Sequence, residues 1–278
     1  MTRYQTTPPQ WARRLFTSLV LGLWTLWTIA AAADVTAFRV GALDSVATEA
    51  GLTLERQRWS LGAREGWIWR VTLPRSSKIR ILAAESVTSF ERFLPSDPGP
   101  WAVINGGFYD LDGTAMGLVV ADGIEYGAFR RGGGSGVLEL REDGPRIIHH
   151  SAYTPGATQA LQSIDRIVAN GVTLVKRRSG ARRAARSAIA LSEDTIYLML
   201  AAQDESLSGT GDKVRVNFPA GTGLPLWALA EYIVNHTDAR DALNLDGSVS
   251  AQLAARINGR NYAIRAMRGT INAILVRP

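Results

Sequence analysis

The chain has 278 residues, of which 46% are hydrophobic, and it contains no cysteine, which excludes disulfide bonds and thiol chemistry. Its formal net charge is +6. Arg3, Arg13 and Arg14 contribute half of this charge, and the remaining 28 basic and 25 acidic residues give a nearly neutral chain that does not favour a nucleic-acid partner.

The first 33 residues have the pattern of a secretory signal peptide. A positive start is followed by an uncharged run over residues 15–33 that ends in three alanines, and cleavage is expected after Ala33. The run has 19 residues, so it is also long enough to remain as a membrane anchor. In both cases we expect residues 34–278 to form one domain that is periplasmic or secreted. Membrane contact is expected only through an uncleaved N-terminal segment.

The chain after residue 33 consists mainly of predicted strands. Short apolar or alternating runs bounded by Gly, Pro, Asp or Ser predict strands over 67–73, 79–84, 101–104, 117–120, 137–140 and 164–174. Two further runs, 187–191 and 196–201, flank a four-residue loop and predict a hairpin. Asn258-Gly259 predicts a second hairpin between 253–257 and 262–264, and the last strand is expected over 271–276.

One segment has helical periodicity. Apolar residues at 226, 229, 230 and 233 lie on one face of a helix predicted over 226–234, with Pro225 suited to its first turn. The following strand, 241–245, leads directly to Asp246. Many strands with few helices predict an α+β fold, a single strand-rich domain with a mixed sheet.

Two segments share one design, a short apolar run followed by polar residues and glycine. They are Val103-Ile104-Asn105-Gly106-Gly107 and, about 140 residues later, Ala242-Leu243-Asn244-Leu245-Asp246-Gly247-Ser248. Such a run predicts a buried strand whose polar residues lie where the chain leaves the sheet. A carboxylate beside glycines at a strand end is typical of active sites, although two ordinary strand–turn junctions have the same pattern.

The remaining polar motifs give no clear cofactor site. The glycine-rich segment 130–136 has the composition of either an anion cradle or a surface loop, and it lacks phosphate-loop spacing. His149 and His150 point to opposite faces of a strand, and His236 is far away in sequence, so zinc is not supported. Residues 110–113 resemble the start of a calcium loop without its later ligands, which predicts a turn. We therefore expect no metal site and no cofactor, with a divalent cation left open.

Several blocks in order resemble the phosphodiester glycosidase family, which includes the lysosomal enzyme that uncovers mannose 6-phosphate and many exported bacterial proteins. The resemblance runs from about residue 80 to the C-terminus. The blocks are Asn105–Tyr109 with 117–120, Ala157-Thr158-Gln159, the arginine strand 186–190, the Asp246 segment 244–250, and the closing strand 272–274.

The resemblance implies hydrolysis of the glycosidic bond in a sugar-1-phosphodiester or a related envelope or exopolysaccharide glycan. The leaving group is a stable phosphate ester, so the site needs a cation for the phosphate and one carboxylate facing the anomeric carbon. We assign Arg186 to the phosphate, Asp246 to the anomeric carbon, and Asn105 to the same centre. The implied substrate-binding residues are Gly106, Gly107, Thr158, Gln159, Asn244, Gly247, Ser248 and Ser250. Asn105 and Asp246 are expected within one substrate width, on the same edge of the sheet.

The chain departs from the family pattern at two places, and the second departure leaves another function open. Relatives of the uncovering enzyme have a glycine-rich run where this chain has Ser248 and Val249. They also often carry a glutamate in the helix, at the position of Ala228. The alternative is therefore a non-catalytic protein that retains the fold and binds a glycan or the cell envelope.

Overall fold

A computed structural model describes residues 37–132, 134–177, 181–203, 207–208, 213–216 and 222–278, and only the backbone of 207–208 and 213–216. The predicted export signal and Gly133 of the glycine-rich segment lie outside these residues. Within the same ranges, no helix is both long enough and apolar enough to cross a membrane. Residues 40–59 and 65–278 belong to one compact unit, and residues 37–39 and 60–64 belong to a second.

Strands account for most of the described chain. In chain order they are β1 (Phe38–Glu49), β2 (Leu52–Leu61), β3 (Arg64–Pro74), β4 (Lys78–Thr88), β5 (Trp101–Asn105), β6 (Val119–Ala121), β7 (Ile124–Gly127), β8 (Gly136–Arg141), β9 (Gly144–His149), β10 (Gln159–Ser163), β11 (Arg166–Ala169), β12 (Val172–Thr173), β13 (Arg183–Ala184), β14 (Arg186–Leu191), β15 (Thr195–Gln203), β16 (Leu207–Ser208), β17 (Lys213–Val216), β18 (Leu224–Pro225), β19 (Asp241–Asn244), β20 (Leu253–Ile257), β21 (Arg260–Arg265) and β22 (Thr270–Arg277). The α-helix of the described residues is α1 (Leu226–His236), and short 3-10 turns lie at Phe90–Phe93, His150–Ala152 and Ser248–Ser250.

The strands of the described residues form two large sheets and two smaller ones. The eight-stranded sheet has the order β1-β2-β3-β15-β14-β19-β11-β12, and the seven-stranded sheet has the order β16-β17-β21-β20-β5-β22-β4. A five-stranded sheet has the order β7-β6-β10-β8-β9, and β13 pairs with β18. The predicted α+β class is wrong, because the structure is mostly β. Antiparallel neighbours such as β14 and β15 are joined by short turns that need no crossover helix, and β17 with β21 is a parallel pair.

Most of the predicted strands and both hairpins are confirmed. The hairpin turns are β14 to β15 and, through Asn258-Gly259, β20 to β21. The predicted strand over 164–174 is wrong, because Asn170 at φ 52° and Gly171 at φ 76° form a turn that divides it into β11 and β12. The strand predicted over 117–120 is observed as β6, over Val119–Ala121. The sequence pattern also does not predict β1, β2, β9 or β10.

The inner faces of the two large sheets contribute to one core. Val71 and Leu198 of the eight-stranded sheet belong to the same buried cluster as Ile104 and Ile274 of the seven-stranded sheet. Helix α1 packs against β11, β12 and β18. Its N-cap is Pro225, so this proline directly precedes the first turn, whereas the sequence placed it within that turn.

The segment that follows β19 and contains Asp246 lies where the two large sheets meet. The backbone N–H of Asp246, just after β19, donates to Gly106 O at 2.9 Å, just after β5. Gly106 N in turn donates to Asn272 O of β22 at 2.9 Å. A Cβ added to Gly106 would lie only 1.9 Å from Asn272 Oδ1, so the residue here must be glycine for the backbones to approach this closely.

We predict that Gly106→Ala destabilises the protein by about 2 kcal/mol or more, because the buried Asn272 has no room to move aside. Gly132→Ala is the matched control, since a Cβ at the exposed Gly132 meets no atom within 4 Å. Urea unfolding of both variants measures the difference. Equal unfolding midpoints for the two variants would contradict the close approach at Gly106.

Candidate active site

A cavity of about 540 Å³ lies beside this junction, within the size range of small-molecule sites. It will be called the Asp246 cavity. Four chain segments contribute: the end of β4, the loop after β5, the segment after β19, and the loop before β22. The lining residues are Ser86, Val87, Tyr109, Asp110, Leu111, Asp112, Gly113, Asp246, Gly247, Ser248, Val249, Ser250, Arg268 and Gly269.

Asp246 is the partly buried carboxyl group of this cavity. Its Oδ1 accepts a hydrogen bond from Gly247 N at 2.8 Å, and the Ser250 side chain also hydrogen-bonds to it. Burial raises the pKa of Asp246 to about 6, while the hydrogen bonds from Ser250 and Gly247 act in the opposite direction. The carboxyl group therefore titrates near neutral pH, which suits a residue that exchanges a proton during a reaction.

Hydroxyl groups line the same cavity as this carboxyl group. Ser250 Oγ lies 3.4 Å from Tyr109 Oη, and Ser248 lines the same wall. Ser248 has a φ of 55°, and its N–H donates to Ala185 O at 2.8 Å. A residue other than glycine in this left-handed region carries strain, which is common where a side chain is held for function.

Asn105 supports Asp246 from outside the cavity. Its side chain is fully buried, and its Nδ2 donates to Asp246 O at 2.7 Å. Its Oδ1 accepts hydrogen bonds from Ser187 Oγ at 2.8 Å and from Gln252 N at 2.9 Å. The expected proximity of Asn105 and Asp246 is thus confirmed, but the expected shared sheet edge is wrong, because β5 and β19 belong to different sheets.

The predicted glycines lie where neighbouring atoms of the protein leave no room for a side chain. An added Cβ would lie 3.1 Å from Gln162 O at Gly107, and 2.5 Å from Ala185 O at Gly247. With the contact of Gly106 described above, all three positions allow close approach of backbone or buried side chains. Of the three, Gly247 also lines the cavity.

Arg186 does not line the Asp246 cavity. Its Nε donates to Leu224 O at 3.0 Å, and one terminal nitrogen donates to Arg182 O. Burial and then the like charge of Arg182 lower the pKa of Arg186 to about 10, and Asp165 partly offsets this. The guanidinium of Arg186 therefore hydrogen-bonds to backbone carbonyls of the segments around β13 and β18.

The other predicted site residues, and Ala228, do not line the cavity. Thr158 is exposed, and Gln159 is buried, where its Oε1 accepts from Ile81 N at 2.6 Å and its Nε2 donates to Asp122 Oδ1 at 2.7 Å. Asn244 is buried two residues before Asp246, and its Oδ1 has no hydrogen-bond partner among the described residues. Ala228 is fully buried in α1. None of these four residues lines the Asp246 cavity.

The structure brings one cation to the cavity that the sequence motifs did not single out. Arg268 lines the wall and is exposed, and within the described parts of the chain its guanidinium makes no hydrogen bond or ion pair. Its backbone N–H donates to Val249 O at 3.0 Å, which holds it beside the Ser248–Ser250 turn. In the sequence, the feature that could have indicated Arg268 is its position just before the closing strand block 272–274.

Two further carboxylates, from the loop after β5, complete the cavity wall. Asp110 forms an ion pair with Arg130 at 3.2 Å. Asp112 accepts hydrogen bonds from Thr114 N at 3.0 Å and Thr114 Oγ1 at 2.8 Å, which lower its pKa. In the residues that the structure describes, no group of three or more His, Asp or Glu side chains is arranged to hold a metal ion.

The chain belongs to the phosphodiester glycosidase family, whose sequence model matches residues 99–277. The catalytic domain of zebrafish N-acetylglucosamine-1-phosphodiester alpha-N-acetylglucosaminidase, auto-inhibited by its pro-peptide, has a similar fold. It is 16% identical, with a TM-score of 0.55 over 88% of this chain and 84% of that chain. A predicted exported protein of Burkholderia pseudomallei is 10% identical, with a TM-score of 0.48 over 80% of this chain and 76% of that chain. No curated protein matches the chain.

We predict a pH signature of Asp246 in protein stability. Its folded-state pKa, about 6, lies above the ordinary value, so the stability that it contributes is present below about pH 4 and lost as the pH rises through 6. The free energy of unfolding of the wild type, minus that of Asp246→Asn, should fall by up to about 3 kcal/mol between pH 4 and pH 7.5. Urea unfolding at both pH values measures it.

Asp112→Asn is the control for this measurement. Hydrogen bonds from Thr114 lower the pKa of Asp112, so any trend with pH should have the opposite sign. A difference between wild type and Asp246→Asn that stays constant with pH would show that Asp246 is not desolvated.

Proposed function

We propose that this protein hydrolyses the glycosidic bond of a sugar-1-phosphodiester outside the cytoplasm. The observation that carries the proposal is the Asp246 cavity, in which a carboxyl group with a pKa near 6 shares a wall with hydroxyl groups and the exposed guanidinium of Arg268. Membership of the phosphodiester glycosidase family supports the reaction class. The predicted signal peptide supports the location.

The reaction breaks the bond between the anomeric carbon and the bridging phosphate oxygen, and the electron pair leaves with the phosphate ester. Water adds to the anomeric carbon, and its proton passes to the Asp246 carboxylate. The ionised carboxylate also stabilises the positive charge that develops at the anomeric carbon. Because a phosphate monoester is a stable leaving group, the reaction does not require a second carboxyl group to protonate the leaving oxygen.

Arg268 is the better candidate for the phosphate than Arg186. A guanidinium binds phosphate through two parallel N–H groups, which requires that its nitrogens be available. Arg186 uses its Nε and one terminal nitrogen on backbone carbonyls, whereas Arg268 is exposed on the cavity wall. Ser248, Ser250 and Tyr109 are then placed to hydrogen-bond to sugar hydroxyls.

We predict that Asp246→Asn lowers kcat on a sugar-1-phosphodiester by about a hundredfold or more while the fold is retained. In the wild type, kcat/KM should rise with pH through an apparent pKa near 6, because the ionised form of Asp246 is the active one. A simple aryl glycoside serves as the comparison substrate. Equal background rates for wild type and variant on both substrates would leave the glycan-binding alternative in place.

Two arginine substitutions decide which guanidinium binds the phosphate. Arg268→Lys should reduce kcat/KM on the phosphodiester by about tenfold or more, since it keeps the charge and loses the bidentate geometry. Arg186→Lys should reduce it less at equal thermal stability. A larger loss for Arg186→Lys would instead support the assignment from the family resemblance.

Substitutions of Ser248, the residue with a left-handed backbone in the Ser248–Ser250 turn, should affect activity and stability differently. Ser248→Gly should leave the melting temperature unchanged or higher, because glycine adopts a φ of 55° without strain, and it should lower kcat/KM through loss of the hydroxyl group. Ser248→Ala is the matched control, with the same loss of activity and no relief of strain. Full activity in both variants would remove Ser248 from the substrate site.

A further inference from the structure

Aliphatic side chains line part of the Asp246 cavity, and the proposed reaction does not use them. They are Val87 of β4, Leu111 of the loop after β5 and Val249 of the segment after β19, and they will be called the apolar wall. A phosphate group is strongly hydrated and makes no favourable contact with aliphatic carbon. The apolar wall therefore suits a different part of the ligand.

Leu111 is fully exposed on a turn that is held by hydrogen bonds. Gly113 N donates to Asp110 O at 2.9 Å, and Asp110 N donates to Thr114 O at 2.8 Å. Gly113 has a φ of 83°, which glycine adopts without strain. A single exposed leucine is ordinary on a protein surface, but this one lines a cavity together with two other aliphatic side chains. Its side chain is thus available to cover an apolar group of a ligand.

The apolar wall lies next to the residue that we assign to the phosphate. Val249 O accepts a hydrogen bond from Arg268 N at 3.0 Å. Val87 Cγ1 lies 3.2 Å from the place that a Cβ would take at Gly269, the residue after Arg268. Val87 Cγ2 lies 3.6 Å from the corresponding place at Gly113, in the turn described above. Val87 therefore connects the Arg268 loop with that turn, and a chain attached to a phosphate at Arg268 would meet the apolar wall.

We propose that the apolar wall binds a hydrocarbon chain attached to the phosphate of the substrate. The preferred substrate is then the sugar-1-phosphodiester of a lipid alcohol, and hydrolysis at the anomeric carbon releases the free sugar and a lipid phosphate. This inference rests on the proposed function of the Asp246 cavity, and it names the chemical class of the leaving group.

The charges beside Leu111 favour a chain of the substrate over a membrane surface as its partner. Asp110 and Asp112 precede and follow Leu111 in the chain, and both line the cavity. Two carboxylates oppose contact with an anionic lipid surface. A lipid phosphodiester carries one negative charge, at the group that we assign to Arg268, and its chain is neutral.

The first test measures binding of the expected product class, for which no reaction is required. The ligands are methyl phosphate, decyl phosphate and geranyl phosphate, the last two being straight and isoprenoid chains of equal carbon number, all below the concentration at which micelles form. We expect the wild type to bind at least one long-chain phosphate about tenfold or more tighter than methyl phosphate, as for burial of one leucine side chain. The tighter of the two identifies the kind of chain. In Leu111→Ser the ratio of Kd values, measured by isothermal titration calorimetry, should fall towards one.

Leu174→Ser is the matched control, because Leu174 is also an exposed leucine and does not line the Asp246 cavity, so this variant should keep the wild-type ratio. Val249→Thr tests a second position of the apolar wall. It keeps the shape of the side chain and adds a hydroxyl group, and it should reduce the ratio several-fold.

The second test measures kcat/KM for the sugar-1-phosphodiesters of methanol, decanol and geraniol. We expect the wild type to prefer the same chain as in the binding measurement, again by about tenfold or more over the methyl diester. The ratio should fall towards one in Leu111→Ser and stay unchanged in Leu174→Ser.

The outcomes separate the two proposals. Equal binding of the three phosphates by the wild type, or a preference for a long chain that survives Leu111→Ser, overturns the chain site and leaves the proposed function intact. Sedimentation of the wild type, but not of Leu111→Ser, with anionic lipid vesicles, together with equal binding of the three phosphates, would assign Leu111 to a membrane surface instead. Binding of a long-chain phosphate that depends on Leu111, without hydrolysis of any diester, overturns the proposed function and leaves the chain site in place.

Discussion

The hydrogen bonds of the Asn105 side chain are the constraint on which the site depends. They connect the end of β5, in one large sheet, to Ser187 of β14, in the other, and to the main chain of Asp246, just after β19. A third bond, from Gln252 N, fixes the beginning of the next strand. Breaking one of these bonds would leave a buried polar group without a partner, at a cost of about 1–3 kcal/mol. The network therefore holds the two sheets in a fixed position at this junction. The carboxyl group of Asp246 is positioned as a consequence of this packing.

The segment from Asn244 to Ser250 carries several features that reduce stability. Burial disfavours the charged form of Asp246, Ser248 has a left-handed backbone, and Asn244 Oδ1 is buried without a partner among the described residues. Each feature would be removed by selection for stability alone. Their concentration in seven consecutive residues, the last five of which line one cavity, is the pattern expected of a functional segment supported by a rigid framework.

The family blocks divide by role in the structure. Asn105, Gly106 and Gly107 make the junction between sheets, whereas Asp246, Ser248 and Ser250 line the cavity. The Thr158-Gln159 block supports β4 and the turn at Asp122, and it lies away from the Asp246 cavity. A sequence motif can thus mark a family because it packs around a cavity, even where its own side chains do not line that cavity.

Local patterns in the sequence determined many of the strands, the Asn258-Gly259 hairpin, helix α1 and the polar residues that follow the buried strand before Asp246. These features follow from side-chain periodicity and turn chemistry within a few residues. Only the tertiary structure decided which sheet each strand joins, because strand pairing can join residues more than a hundred positions apart, as for Ile104 of β5 and Ile274 of β22. The same reason applies to the arginines. Whether a long flexible side chain turns towards backbone carbonyls, as Arg186 does, or lines the cavity, as Arg268 does, is set by the distant segments packed around it.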